Sequence, residues 1–223
     1  ESGIRDAKFK IYSRGGIISK DDFWPKDISI ADLNVRGKFE NDPASIEIKH
    51  LALKLDGSEV MLAGSAIAVE EGITIDGRAS INTFNISRLK DFWPRDFKKA
   101  PRRWLIKNML SGRAEDIKTS FSIRIPNLRE SRVIVDSFYG KLRLGNTSVR
   151  FHDKFPLVRK VEGTAVFSKQ RFVASIESGE FKELKILSGQ VKLMDLDTER
   201  ENANIIATLS GPLKSALKLA NNI

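Results

Sequence analysis

The chain has 223 residues, 41% of them hydrophobic, with 30% charged, a net charge of +9 and no cysteine. That is enough apolar matter for one large all-β domain or two smaller ones, and it excludes disorder, disulfides, thiolate zinc sites and a cysteine nucleophile. No run of eighteen apolar residues and no charged-then-apolar amino terminus occurs, and the chain, starting at Glu1, reads as a segment of something longer.

In chain order, the first feature is the hexapeptide DFWPKD at 22–27, which returns as DFWPRD at 91–96. With only three tryptophans and seven prolines in the chain, two chance copies are improbable, and a structural repeat is the starting expectation. Trp24 and Trp93 precede proline, which favours extended backbone there. Phe23, Trp24, Phe92, Trp93 and Trp104 are assigned as structural aromatic caps.

Most of the remaining sequence alternates apolar and polar residues with period two, as strands do when one face is buried and the other wet. The apolar sets are Leu33, Val35 and Phe39; then Ile73, Ile75, Ala79 and Ile81; then Ile117, Phe121, Ile123 and Ile125; then Phe172, Ala174 and Ile176; and finally Ala203, Ile205, Ala207 and Leu209. In SIEIKHLALKL the apolar phase slips from Ile46 and Ile48 to Leu51, Leu53 and Leu55, which predicts a bulge near His50. Turn signals at 15–16 (GG), 41–43 (NDP), 56–57 (DG), 70–72 (EEG) and 145–146 (GN) divide the chain into roughly a dozen strands in an antiparallel meander.

Two stretches read as helices. APRRWLIKNMLSG predicts one over about 98–111, with Pro101 in the first turn, Gly112 as the stop and Leu105, Ile106, Met109 and Leu110 on one side. Near the end, GPLKSALKLANN predicts a second over about 212–221, with Leu213, Ala216, Leu217 and Ala220 as its stripe. Trp104 falls away from the first stripe, so it packs on another element or sits at an interface. The expected units are 1–84 and 85–223, the second with the inserted and terminal helices, or one continuous domain. Two short helices cannot cover a dozen half-apolar strands. The apolar face is therefore closed by the sheet folding over itself or left as a groove.

Charge concentrates at 88–113, where nine Lys/Arg stand against Asp91 and Asp96. A basic rim of Lys98, Lys99, Arg102, Arg103 and Lys107 suits a solvated helix, anionic lipid head groups or nucleic acid, although no nucleic-acid module surrounds it and no nucleic-acid partner is expected. The two histidines, His50 and His152, are far apart, no carboxylates have ligand spacing and no Gly-x-Ser-x-Gly elbow occurs. No metal, no cofactor and no catalytic residue is assigned.

The segments DFWPRDFKKAPRRWLIKNMLSGRAEDIKTSFSI, FHDKFPLVRKVEGTAVFSKQRFVASIESGEFKELKILSGQVKLMDL and ATLSGPLKSALKLANN resemble, in that order, the AsmA-like superfamily of Gram-negative envelope proteins, in its YhdP-type branch. The resemblance runs over 85–222 and more loosely over 1–84. It implies a long, strongly curved antiparallel trough that carries phospholipid acyl chains between inner and outer membranes, without catalysis, as the periplasmic portion of an inner-membrane-anchored protein. Membrane contact would then come through the rest of the full-length protein. On that reading Leu33, Val35, Ile73, Ile75, Ile117, Phe121, Ile123, Phe172, Ile176, Ile205 and Leu209 line the groove; in a closed sandwich the same side chains fill the core. Scaffolding of other envelope proteins is the alternative function, followed by a basic nucleic-acid-binding domain.

Overall fold

The structure is a computed structural model that describes residues 5–19, 25–93, 99–127, 133–151, 157–196, 198 and 202–220, with backbone alone at 99–101 and 218–220. The fold is all-β. Among the described residues eleven strands form one antiparallel sheet in sequential order: β1 (Asp6–Ile18), β2 (Ile28–Asn41), β3 (Ala44–Leu55), β4 (Ser58–Val69), β5 (Gly72–Asn85), β6 (Met109–Ile125), β7 (Ile134–Val149), β8 (Val158–Ser168), β9 (Phe172–Phe181), β10 (Leu184–Met194) and β11 (Asn202–Ser210). The first and last strands do not pair with each other, so the sheet is not closed into a barrel. Among the described residues three short helices interrupt it: α1 (Leu89–Phe92), entered through a 3-10 turn at Ile86–Arg88, α2 (Lys99–Asn108) and α3 (Leu213–Ala220). Among the described residues no helix is long and apolar enough to cross a membrane.

Contacts divide the chain into two units interleaved along the sequence. Unit 1 comprises 1–20, 27–83 and 116–140, and unit 2 comprises 21–26, 84–115 and 141–223. Every helix among the described residues belongs to unit 2.

The predicted bulge is present. Opposite β4 the β3 register jumps between Ile48 and Leu51, and opposite β2 it slips where Arg36 and Gly37 face His50 and Ile48. The extra residue lets Ile46 and Ile48 share a face with Leu51, Leu53 and Leu55, which strict alternation would forbid.

Three local expectations need correction. Gly15–Gly16 lies inside β1 and Gly145–Asn146 inside β7, so neither is a turn. Gly15 (φ +80) and Asn146 (φ +47) instead put the left-handed backbone that suits a turn into the middle of a strand. Nor does Gly112 stop a helix: α2 ends at Asn108, whose side-chain amide donates to the Trp104 carbonyl at 2.9 Å while its own carbonyl accepts from the Arg150 N–H at 2.8 Å. Those bonds satisfy carbonyls that a helix end would leave open, and Met109 and Leu110 pass into β6. Gly112 (φ +116) is needed there because a Cβ would lie 2.5 Å from the Thr147 backbone.

Unit 2 has a closed core. Val149, Val158, Val161, Phe181 and Leu184 are buried together, with Trp104, Met109, Phe151, Ile176, Ile186 and Leu209 packed against them. Trp104 thus anchors α2 to the sheet, which resolves its position off the helix stripe. Helix α3 begins after Pro212 as expected, but Leu213 (74% exposed) and Leu217 (56%) leave its stripe in solvent.

Candidate functional site: the apolar face of the sheet

In an antiparallel sheet, directly paired residues point to the same side. The register therefore assembles the apolar face of unit 1 row by row. One row runs Ile11, Val35, Leu51, Leu62, Ala79, and the next runs Ser13, Leu33, Leu53, Val60, Ile81. On the other side of the bulge, Ala7, Phe39, Ile46, Ala66 and Ile75 form a row, and Ile73 pairs with Ala68 beyond it. Between them lies a row at the bulge, Phe9, Gly37, Ile48, Gly64, Gly77. A Cβ on Gly37 would meet the Phe9 ring at 2.4 Å, and one on Gly77 the Phe121 ring at 2.5 Å. Each glycine is thus the floor on which a neighbouring aromatic ring lies.

Among the described residues little covers these rows. Of the fourteen buried apolar residues among those described, only Ile28, Val35 and Leu55 belong to unit 1, and the other eleven belong to unit 2. Leu33, Leu51, Leu53, Leu62, Ile73, Ile75, Ile81, Ile117, Phe121 and Ile123 are partly exposed, Ile46 is 43% exposed and Ile11 50%.

In unit 2 the register gives a row Ala165, Ala174, Val191, Ile205, a row Phe167, Phe172, Leu193, Ala203 and a row Gly163, Ile176, Gly189, Ala207. Leu209 pairs with Ile186. Of the residues expected to line a groove, Ile176 and Leu209 pack on the closed core, whereas Ile205, on the last strand, is 49% exposed. The eleven expected residues therefore do not share one environment.

Phe9, Ile11, Leu51, Leu53, Val60 and Leu62 join these rows beyond the expected lining. Their signal was present. Ala7, Phe9 and Ile11 alternate with Lys8, Lys10 and Tyr12, and Leu51 and Leu53 are the apolar phase beyond the bulge.

The doubled hexapeptide has a definite role on the part that is described. Lys26 of the first copy pairs with Asp91 of the second at 3.4 Å, and Arg88 Nε donates to the same carboxylate at 2.8 Å. Asp91 is only 7% exposed. Burial pushes its pKa up, but the hydrogen bonds and charges of Arg88 and Lys26 outweigh that and hold it below the ordinary carboxylate value. The Arg88 guanidinium also lies 5.6 Å from the centre of the Phe92 ring, which meets Phe84 edge to face at 5.5 Å. Trp93 closes α1 in extended backbone, its N–H donating to the Leu89 carbonyl. Phe23 and Trp24 lie outside the described residues.

The basic rim is divided. Arg102 aims its guanidinium at the carbonyls of Trp93 (3.3 Å) and Lys90 (3.5 Å), tying α2 to the end of α1. Arg103 and Lys107 are exposed, Lys98 is outside the described residues, and Lys99 is described by its backbone alone. Among the described residues no group of three or more His, Asp or Glu is placed to hold a metal ion. His50 sits at the bulge on the polar face of the sheet, and His152 is outside the described residues.

Comparison of the chain with family models, curated proteins and solved structures gives no match.

Proposed function

We propose that this chain is a section of a non-enzymatic lipid conduit, holding phospholipid acyl chains against the apolar face of unit 1, in the periplasm of a Gram-negative envelope as the AsmA-like resemblance implies. The observation that carries the reading is that unit 1 presents aligned rows of Leu, Ile, Val and Phe, has no helix among its described residues to cover them, and leaves most of them partly exposed. An apolar face of this kind is stable when an apolar partner replaces water on it. Each methylene moved from water onto it gains about 0.8 kcal/mol, so an acyl chain of ordinary length supplies several kcal/mol. Because the rows lie side by side on one face, the chain can move from one to the next without crossing water. The work is solvation, so no nucleophile, acid or base is assigned.

Native mass spectrometry of the purified chain, followed by lipid extraction, tests this. Bound phospholipid is expected, and a uniformly ligand-free protein from lipid-rich cells contradicts it.

A scaffolding role in which another protein adds a strand has one observation in its favour. Nearly all of β11 is exposed, including Ile205 and Ile206 (63%), at the end of the sheet where its outer backbone groups have no neighbouring strand among the described residues. Proline substitutions at alternate residues of β11 would abolish that association and leave lipid binding on unit 1 intact.

A further inference from the structure

The polar face of unit 1 carries a second pattern at the level of the bulge. Lys10 pairs with Arg36, and Arg36 with His50. Lys49 and His50 fall opposite the gap between Leu62 and Gly64, where Ala63 sits, and Ala63 pairs with Arg78. Lys49, His50, Ala63, Arg78 and the Lys118 of β6 line one shallow depression of about 310 Å³ with no acidic residue in its lining. The small side chain of Ala63 and the extra residue of β3 create the hollow. From Lys10 to Lys118 the basic groups span six consecutive strands, a reach of about 24 Å at ordinary strand spacing.

Among the described residues, three other cations of this unit are matched, whereas no ion pair reaches Arg5, Lys8 or Arg14. Lys38 pairs with Glu40 (2.8 Å) and Glu47 (3.5 Å), Lys54 with Glu59 (3.4 Å), and Arg124 with Asp136 through two hydrogen bonds of 3.0 and 2.8 Å. Among the described residues no ion pair reaches Lys10, Arg36, Lys49, Arg78 or Lys118, and Lys10 and Arg36 stand directly opposite each other. Like charges directly opposite each other across strands destabilise a sheet. An anion seated among them removes that repulsion.

We infer that this depression is a binding site for a phosphate-bearing anion, with one phosphate held by Lys49, Arg78 and Lys118 and further negative charge reaching along the row towards Arg36 and Lys10. Guanidinium and ammonium donors converging on an open hollow recognise phosphate by charge-assisted hydrogen bonds. Two sources share that chemistry, a lipid head group presented from outside and a free polyphosphate. The site lies on the face opposite the apolar rows, so it stands or falls separately from lipid carriage by those rows.

Titration of the whole chain with inorganic tripolyphosphate, followed by calorimetry and by amide shifts in NMR, tests the site. Saturable one-site binding is expected, with shifts centred on Lys49, Ala63 and Arg78, weakening as salt is raised. The double substitution Lys49→Glu with Arg78→Glu should weaken it by about tenfold or more, whereas Lys185→Glu with Lys192→Glu, an equal charge change in unit 2, should change it less than about twofold. If the glutamate pair unfolds the sheet, Lys49→Gln with Arg78→Gln gives the same comparison without reversed charge. Absence of saturable binding, or equal loss in both double variants, overturns the site. A parallel arm uses phosphatidylcholine vesicles with and without phosphatidylglycerol. Capture by the anionic vesicles that the Lys49/Arg78 variant loses assigns the phosphate to a lipid head group, and tripolyphosphate binding without vesicle capture assigns it to a soluble ligand.

Discussion

Leu53 in unit 1 and Leu184 in unit 2 both stand on the apolar side of an antiparallel strand, and their surroundings differ sharply. Leu184 is 2% exposed, enclosed with Val158, Val161 and Phe181. Leu53 has Leu33 and Val60 directly beside it in its row and remains partly open to solvent. The same alternating pattern thus yields a closed core in one region and an uncovered surface in the other. What differs is the cover: Trp104 of α2 packs on the core of unit 2, whereas the described residues of unit 1 form no helix. Alternation decides which side chains share a face, and the elements available to lie on that face decide whether it becomes a core.

The largest effect that sharpens this contrast comes from truncation. Leu184→Ala should destabilise the protein by about 2–5 kcal/mol, because a side chain is removed from a closed cluster and leaves a cavity. Leu53→Ala should cost only about 1 kcal/mol, in proportion to the smaller area it removes from water. Urea denaturation of the two variants measures the difference, and equal losses would erase the distinction between the regions.

Next in size is Asp91→Asn, which leaves Arg88 and Lys26 without their shared carboxylate and should cost about 1–3 kcal/mol. Since the folded pKa of Asp91 lies below its ordinary value, the carboxylate binds protons more readily in the unfolded chain. Its contribution is therefore complete above the ordinary carboxylate range and is lost as pH falls through the depressed value, below about pH 4. Denaturation curves at pH 7 and pH 3 should show the wild-type advantage over Asp91→Asn shrinking in acid, and an advantage that grows in acid would reverse the assignment.

Smaller still is the separation of the basic residues around α2. Arg102→Glu should lower stability by about 1 kcal/mol through loss of its carbonyl contacts, and Arg103→Glu should stay within about 0.5 kcal/mol of wild type. Thermal melts of the pair distinguish an arginine that ties two helices from one that faces solvent.

The β architecture was legible in the sequence because period-two alternation is a direct image of the pleat, and even the bulge at His50 was visible as a slip in that phase. The turns were less legible. Gly15, Gly112 and Asn146 carry the residue types that turns and helix stops require, but here the positive φ serves mid-strand irregularities and a close approach to Thr147. Residue type reports the backbone angle and not where in the fold that angle is used. The hexapeptide advertised a repeat, yet nothing in its spacing said that Lys26 of one copy would meet Asp91 of the other, since that pairing depends on the path of the intervening strands. The candidate surface was half legible for a similar reason: Leu33, Val35, Ile73 and Ile75 follow from alternation, whereas the difference between Ile75, partly open, and Ile176, packed on a core, arises from what lies above them.

The central claim, that the open rows of unit 1 hold acyl chains, is tested most directly by placing a photo-crosslinking amino acid in turn at Leu53 and at the adjacent Lys54 and irradiating the protein in cells with labelled phospholipid. The two side chains leave opposite faces of β3. Crosslinks to phospholipid from position 53 and none above background from position 54 are the predicted result; equal labelling at both positions, or none at either, would contradict it.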